Sequence, residues 1–124
     1  MTPSFIDHIV LIVKDLKETA EFYNKFLGEP DHKYDDSVSY KIGDTKIFFG
    51  LPYGKWQSYN KDLSGFNHLA FGVRTVEELK EFEKILNSLN IKNSGIIKEK
   101  DAGKDFIWFD DPNGYRLEFY CRPE

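Results

Sequence analysis

The stretch that decides the fold is Asp111-Pro112-Asn113-Gly114-Tyr115-Arg116-Leu117-Glu118-Phe119-Tyr120. Asp111 opens a tight turn, Pro112 presets φ at its second position, and Asn113 with Gly114 is expected to supply the positive φ that reverses the chain between two strands. Beyond the turn, Leu117, Phe119 and Cys121 alternate with Arg116, Glu118 and Tyr120, the period of a strand with one packed face. Glu118 therefore shares a face with an arginine and a tyrosine. That face is either solvated or a functional cavity.

Working outward, this strand closes a pattern that occurs twice. Phe5 to Val13 holds the β-branched run Ile9-Val10-Leu11-Ile12-Val13, with His8 near its start. A capping box, Asp15 and Glu18, then precedes apolar residues at helical spacing, Leu16, Ala20, Tyr23 and Leu27, widened by Phe22 and Phe26. Gly28 and Pro30 end that helix. Short β segments follow at 32–34, 38–42 and 46–51, the last two joined by a turn at Gly43-Asp44.

The second copy starts at Phe66 to Val73, with a capping box at Thr75 and Glu78 and a helical stripe of Val76, Leu79, Phe82, Leu86 and Leu89. Asn90 and Gly95 are expected to close the helix, and β segments follow at 96–100, 106–109 and 115–120. At an offset of 60 residues, Asp7-His8-Ile9 falls on Asn67-His68-Leu69, Asp15 on Thr75, Glu18 on Glu78 and Phe22 on Phe82. The reading is an α+β single domain over 1–124, made of two tandem βαβββ repeats at about 1–54 and 66–124, joined by a loop at 55–65. Each module has a curved sheet with a helix on one face only. The two are expected to form a curved mixed sheet around a central cleft.

Composition narrows the function. The chain has 124 residues, 16% aromatic and 31% charged, with a net charge of -4 and no basic stripe among the aromatics. This argues against a nucleic-acid or anionic-membrane partner and for a small organic ligand. The single cysteine, Cys121, allows no internal disulfide and reads as a buried strand residue in a reducing compartment. No basic leader precedes an apolar run and no run approaches a bilayer span, so a cytoplasmic protein is expected.

Three residues stand out chemically: His8 and His68 at equivalent places in the two repeats, and Glu118 in the last strand. Two neutral imidazoles and one carboxylate are the donors of a facial triad for a divalent first-row metal, with positions left for water or substrate. Their spacing alone does not distinguish this from a hydrogen-bonded strand histidine and a solvated glutamate. What favours the metal is symmetry, because histidines at one place in two repeats are expected to approach across the module interface.

The Asp-His-Ile-Val-Leu and Asn-His-Leu-Ala-Phe openings, each running into a capped helix, and the closing Asp-Pro-Asn-Gly-Tyr-Arg-Leu-Glu-Phe-Tyr resemble the vicinal oxygen chelate superfamily. That superfamily includes glyoxalase I, fosfomycin-modifying enzymes, extradiol dioxygenases, methylmalonyl-CoA epimerase and metal-free bleomycin-binding proteins. The resemblance spans essentially the whole chain. It implies His8, His68 and Glu118 as metal ligands, a divalent metal (Zn, Ni, Mn, Co or Fe(II)) as cofactor, and a homodimer in which modules of two chains pair.

One departure matters. Glyoxalase I and the epimerase have a fourth ligand in the last strand of the first module, and here that strand, Lys46-Ile-Phe-Phe-Gly-Leu51, offers none. The resemblance thus implies a three-ligand site. Lys98 could match a phosphonate-binding lysine, but Ala102, Phe106 and Trp108 fit the other fosfomycin-binding places poorly, so fosfomycin is not the expected substrate.

Substrate-binding candidates are Trp56, Tyr59, Lys98, Trp108, Arg116 and Tyr120, each against an ordinary packing or surface role. The loop carrying Trp56 and Tyr59 is a candidate to fold over a ligand. His32 reads as an exposed histidine, and Lys98 to Lys104 as a solvated hairpin loop without the glycine pattern of a phosphate cradle. Two functions follow: a metal-dependent lyase, thiol transferase or dioxygenase acting on vicinal oxygens, or a metal-free protein that sequesters an aromatic or drug-like molecule.

Overall fold

A computed structural model describes all residues, 1–124. The first module comprises β1 (His8–Ile12), α1 (Leu16–Leu27), β2 (His32–Lys33), β3 (Ser37–Ile42) and β4 (Thr45–Gly50). The second comprises β5 (Leu69–Val73), α2 (Val76–Ser88), β6 (Ile97–Lys98), β7 (Asp105–Asp110) and β8 (Arg116–Cys121). The fold is α+β, with two βαβββ modules. Each builds its own four-stranded mixed sheet, in the orders β1-β4-β3-β2 and β5-β8-β7-β6. In both, the first strand runs parallel to the last and the other pairings are antiparallel. The chain divides into two compact units, Met1–Ser58 and Tyr59–Glu124. No helix is long and apolar enough to cross a membrane.

Local chemistry explains the helix ends. Asp15 caps α1 by accepting from the Glu18 backbone N–H at 2.8 Å, and Gly28 ends it at φ 78°. At α2 the capping box closes in both directions: Glu78 N–H donates to Thr75 Oγ1 at 3.1 Å, and Thr75 N–H donates to Glu78 Oε1 at 3.0 Å. The end of α2 differs from the sequence expectation. Asn90 alone takes the left-handed position, at φ 56°, while Asn90 N–H and Ile91 N–H donate to the carbonyls of Asn87 and Leu86 at 3.1 and 2.9 Å. That pair of bonds is a Schellman closure, and Gly95 belongs to a later turn.

In the first module, the buried Thr19, Phe22 and Tyr23 of α1 face a core that includes Val38, Tyr40, Ile47 and Phe49, with Tyr23 stacked on Phe49 at 4.3 Å. In the second, Leu79, Phe82 and Leu86 lie over the sheet, and Phe82 stacks on Phe119 at 4.0 Å. Leu117, Phe119 and Cys121 are buried, while Arg116, Glu118 and Tyr120 are half-buried on the opposite face. Helix packing on one face of β8 thus leaves the other free to carry polar chemistry.

The turn that feeds β8 also differs in detail. Gly114 is at φ 85°, whereas Asn113 keeps a negative φ. Asn113 is instead buried and tied inward, since Asp111 Oδ1 accepts from the N–H groups of Asn113 and Tyr115 at 2.8 and 2.9 Å. An aspartate able to satisfy two turn amides removes the need for a second left-handed residue.

Candidate metal centre

The register of the second sheet fixes the site. Glu118 of β8 lies between Ala70 of β5 and Trp108 of β7. His68 sits just before β5, one residue outside the strand that the sequence reading gave it. His68 Nε2 and Glu118 Oε2 are 3.6 Å apart, with side chains 40% and 16% exposed. That separation is too long for a direct hydrogen bond. Two ligands on one ion at ~2.0–2.2 Å stand about 2.9 Å apart at a right angle and about 3.4 Å apart at the tetrahedral angle, so the pair has close to the spacing that a shared cation needs.

The imidazole is oriented for that role. His68 Nδ1 is 2.7 Å from Asn67 Oδ1, an acceptor, so Nδ1 carries a proton and Nε2 faces Glu118. His8 repeats the arrangement: its Nδ1 lies 2.8 Å from Asp7 Oδ1, which leaves Nε2 turned away from that bond. Both rings are therefore oriented by the residue before them. The signal was visible in Asp7-His8 and Asn67-His68, but the sequence reading used it only to align the repeats.

The first module also shows what replaces the missing fourth ligand. Val10 pairs with Phe48 across β1 and β4 as Ala70 pairs with Glu118 across β5 and β8. Phe48 thus holds the place of Glu118 in its own module, and its ring meets His8 edge-on at 5.6 Å. His8, Phe5, Asp7, Lys41, Asp44, Lys46 and Phe48 line a cavity of about 500 Å³. No group of three His, Cys, Asp or Glu side chains is gathered at metal-binding distance in the chain.

The remaining candidates fall in different places. Tyr120 lines a cavity of about 360 Å³ together with His68, Ala70, Gly72, Glu118 and Arg122. Trp108 and Arg116 flank Glu118, with the guanidinium 4.0 Å from the indole centroid and its Nε donating to Asp110 Oδ1 at 2.7 Å. Lys98 is exposed and paired to Asp105 at 3.1 Å. Tyr59 packs on Phe66 and Tyr115 at 5.5 and 4.8 Å, and its hydroxyl donates to the Asn67 carbonyl. It thus braces the segment that carries His68, and burial pushes its phenol up. Trp56 is half-buried in the first unit. His32 is exposed and stacks on Tyr34 at 4.7 Å.

The sequence profile of the Glyoxalase/Bleomycin resistance protein/Dioxygenase superfamily matches residues 5–119. The chain belongs to this superfamily. Among curated relatives, the metallothiol transferase FosB of Bacillus licheniformis is 28% identical, with 93% of this chain and 73% of that protein aligned. The glutathione transferase FosA of Serratia marcescens is 27% identical over 93% of this chain and 79% of that one. The lactoylglutathione lyase structure from Agrobacterium tumefaciens superposes with a TM-score of 0.78 at 19% identity, covering 99% of this chain and 97% of that one. Within the superfamily the fold is thus shared by transferases and a lyase, and the side chains on it must specify the chemistry.

Proposed function

We propose that this superfamily member is a divalent-metal-dependent enzyme of the lyase, thiol transferase or dioxygenase type, acting on a small substrate with vicinal oxygens. The observation that carries the reading is the His68–Glu118 pair, 3.6 Å apart, with Nε2 turned towards the carboxylate by the Asn67 contact at Nδ1. His8, oriented in the same way by Asp7, is the third ligand, supplied within a homodimer in which modules of two chains pair. A bound Zn, Ni, Mn, Co or Fe(II) would supply Lewis-acid polarisation of adjacent substrate oxygens. Three protein ligands leave positions for both oxygens. Trp108 and Arg116 flank Glu118 as substrate contacts, with the Arg116 guanidinium over the indole at 4.0 Å. The similarity to the metallothiol transferase FosB supports metal-dependent thiol transfer as one of the three reaction types.

Acetohydroxamate, which presents two adjacent oxygens, provides the test. It is expected to bind the metal-loaded protein and to lose binding on chelation or in Glu118→Gln. Binding that survives chelation unchanged would contradict the proposal and favour a metal-free sequestering protein.

A further inference from the structure

Resting on the metal reading, we infer that the groove running from the His68–Glu118 pair to Arg122 receives the tail of an elongated substrate that ends in an anionic group. The cavity that contains the two ligands is longer than a chelating head requires. It continues along β5 and β8 past Ala70, Gly72 and Tyr120 and ends at Arg122. Glu118, Tyr120 and Arg122 follow the period of two and so share a face. From Glu118 to Arg122 is four strand steps, about 13 Å along the backbone.

The groove exists because of what β5 lacks. Ala70 stands beside Glu118, and Gly72 beside Tyr120. A Cβ at Gly72 would meet no atom within 4 Å, so nothing fills the floor there. Tyr120 forms a fixed wall, its ring stacked on Phe106 at 6.2 Å. At the far end a second guanidinium adjoins, since Arg74 Nη1 donates to the Arg122 carbonyl at 3.1 Å. Glu78, the nearby carboxylate, is already engaged by the N–H groups of Arg74 and Thr75. A guanidinium at the end of the groove selects a carboxylate or phosphate over a neutral group.

The test compares three chelators on metal-loaded protein by calorimetry: acetohydroxamate, octanedioic acid monohydroxamate, and its terminal amide. The carboxylate-ended chelator is expected to bind about tenfold tighter than the amide, the scale of one charge-assisted hydrogen bond at a partly exposed site. That preference should vanish in Arg122→Ala and persist in part in Arg122→Lys. Gly72→Leu should weaken both long chelators while acetohydroxamate binds as before. Equal binding of carboxylate and amide to the wild type, a preference retained in Arg122→Ala, or long chelators unaffected by Gly72→Leu would each overturn the inference. Metal binding with no carboxylate preference sinks this inference alone, whereas failure to bind metal sinks the proposed function and this inference together.

Discussion

Asn67 offers a sharp test of how the imidazole is set. Its Oδ1 accepts from His68 Nδ1 at 2.7 Å, and its Nδ2 donates to the Lys61 carbonyl at 2.8 Å. Asn67→Ala removes both bonds, while Asn67→Asp removes only the second and recreates the Asp-His pair found at Asp7 and His8. Loss of a group that orients a ligand commonly weakens metal binding 10- to 100-fold. His68 is 40% exposed, so water replaces part of the lost bond. The expected loss in Asn67→Ala is therefore at the lower end, about tenfold or ~1.4 kcal/mol. Asn67→Asp should hold wild-type affinity or exceed it, because a carboxylate acceptor raises the basicity of the ring. Competition against a chromophoric chelator measures both variants, with thermal unfolding run alongside to show that the loop tie to Lys61 is not the cause. Wild-type affinity in Asn67→Ala, or equal weakening in both variants, would refute the orienting role.

Other perturbations probe other parts of the account. Tyr40 is fully buried, its hydroxyl donates to Asn24 Oδ1 at 2.7 Å, and burial pushes its phenol up to about 12. Its folded value lies above the unfolded value of about 10, so this stabilisation is complete below pH 10 and is lost as pH rises towards 12; denaturant titrations across that range should show a shallower decline in Tyr40→Phe than in the wild type. Thr75→Ala breaks the reciprocal cap of α2 and should cost about 1 kcal/mol, read from the urea midpoint. Phe48→Glu places a carboxylate at the register position of Glu118 and beside His8. It should tighten metal binding severalfold in the same chelator competition, and unchanged affinity would argue that this position does not face the metal.

Much of the fold was legible because strong local signals agreed. Two N-cap signals, a β-branched run and a second apolar run, and the Asp-Pro-Asn-Gly turn marked the elements, and the offset of 60 tied them into one repeated plan. The two-residue strands β2 and β6 marked the limit of that reading, since two residues carry no period. The sequence extended the second of them to Lys100, where a charged turn stands instead. Asn90 was named as a helix stop together with Gly95, and of the two it is Asn90 whose left-handed backbone closes α2.

At the site, the alternation around Glu118 was readable as a strand pattern. The partners were not. Phe48 as the counterpart of Glu118 depends on register across a parallel pair, which no local motif encodes. Tyr59 lies in a loop without periodicity, so its packing on Phe66 and Tyr115 could not be distinguished from a ligand contact. Arg122 carried no signal in the sequence, and only the small side chains of β5 reveal a groove leading to it.

The most direct measurement is the metal content of protein purified without chelator, set against that of His68→Ala and Glu118→Gln. The account predicts about one divalent ion per His68–Glu118 pair in the wild type and its loss in both variants, with the fold retained. A folded wild-type protein that carries no metal and takes none up, or variants that hold as much as the wild type, would contradict it.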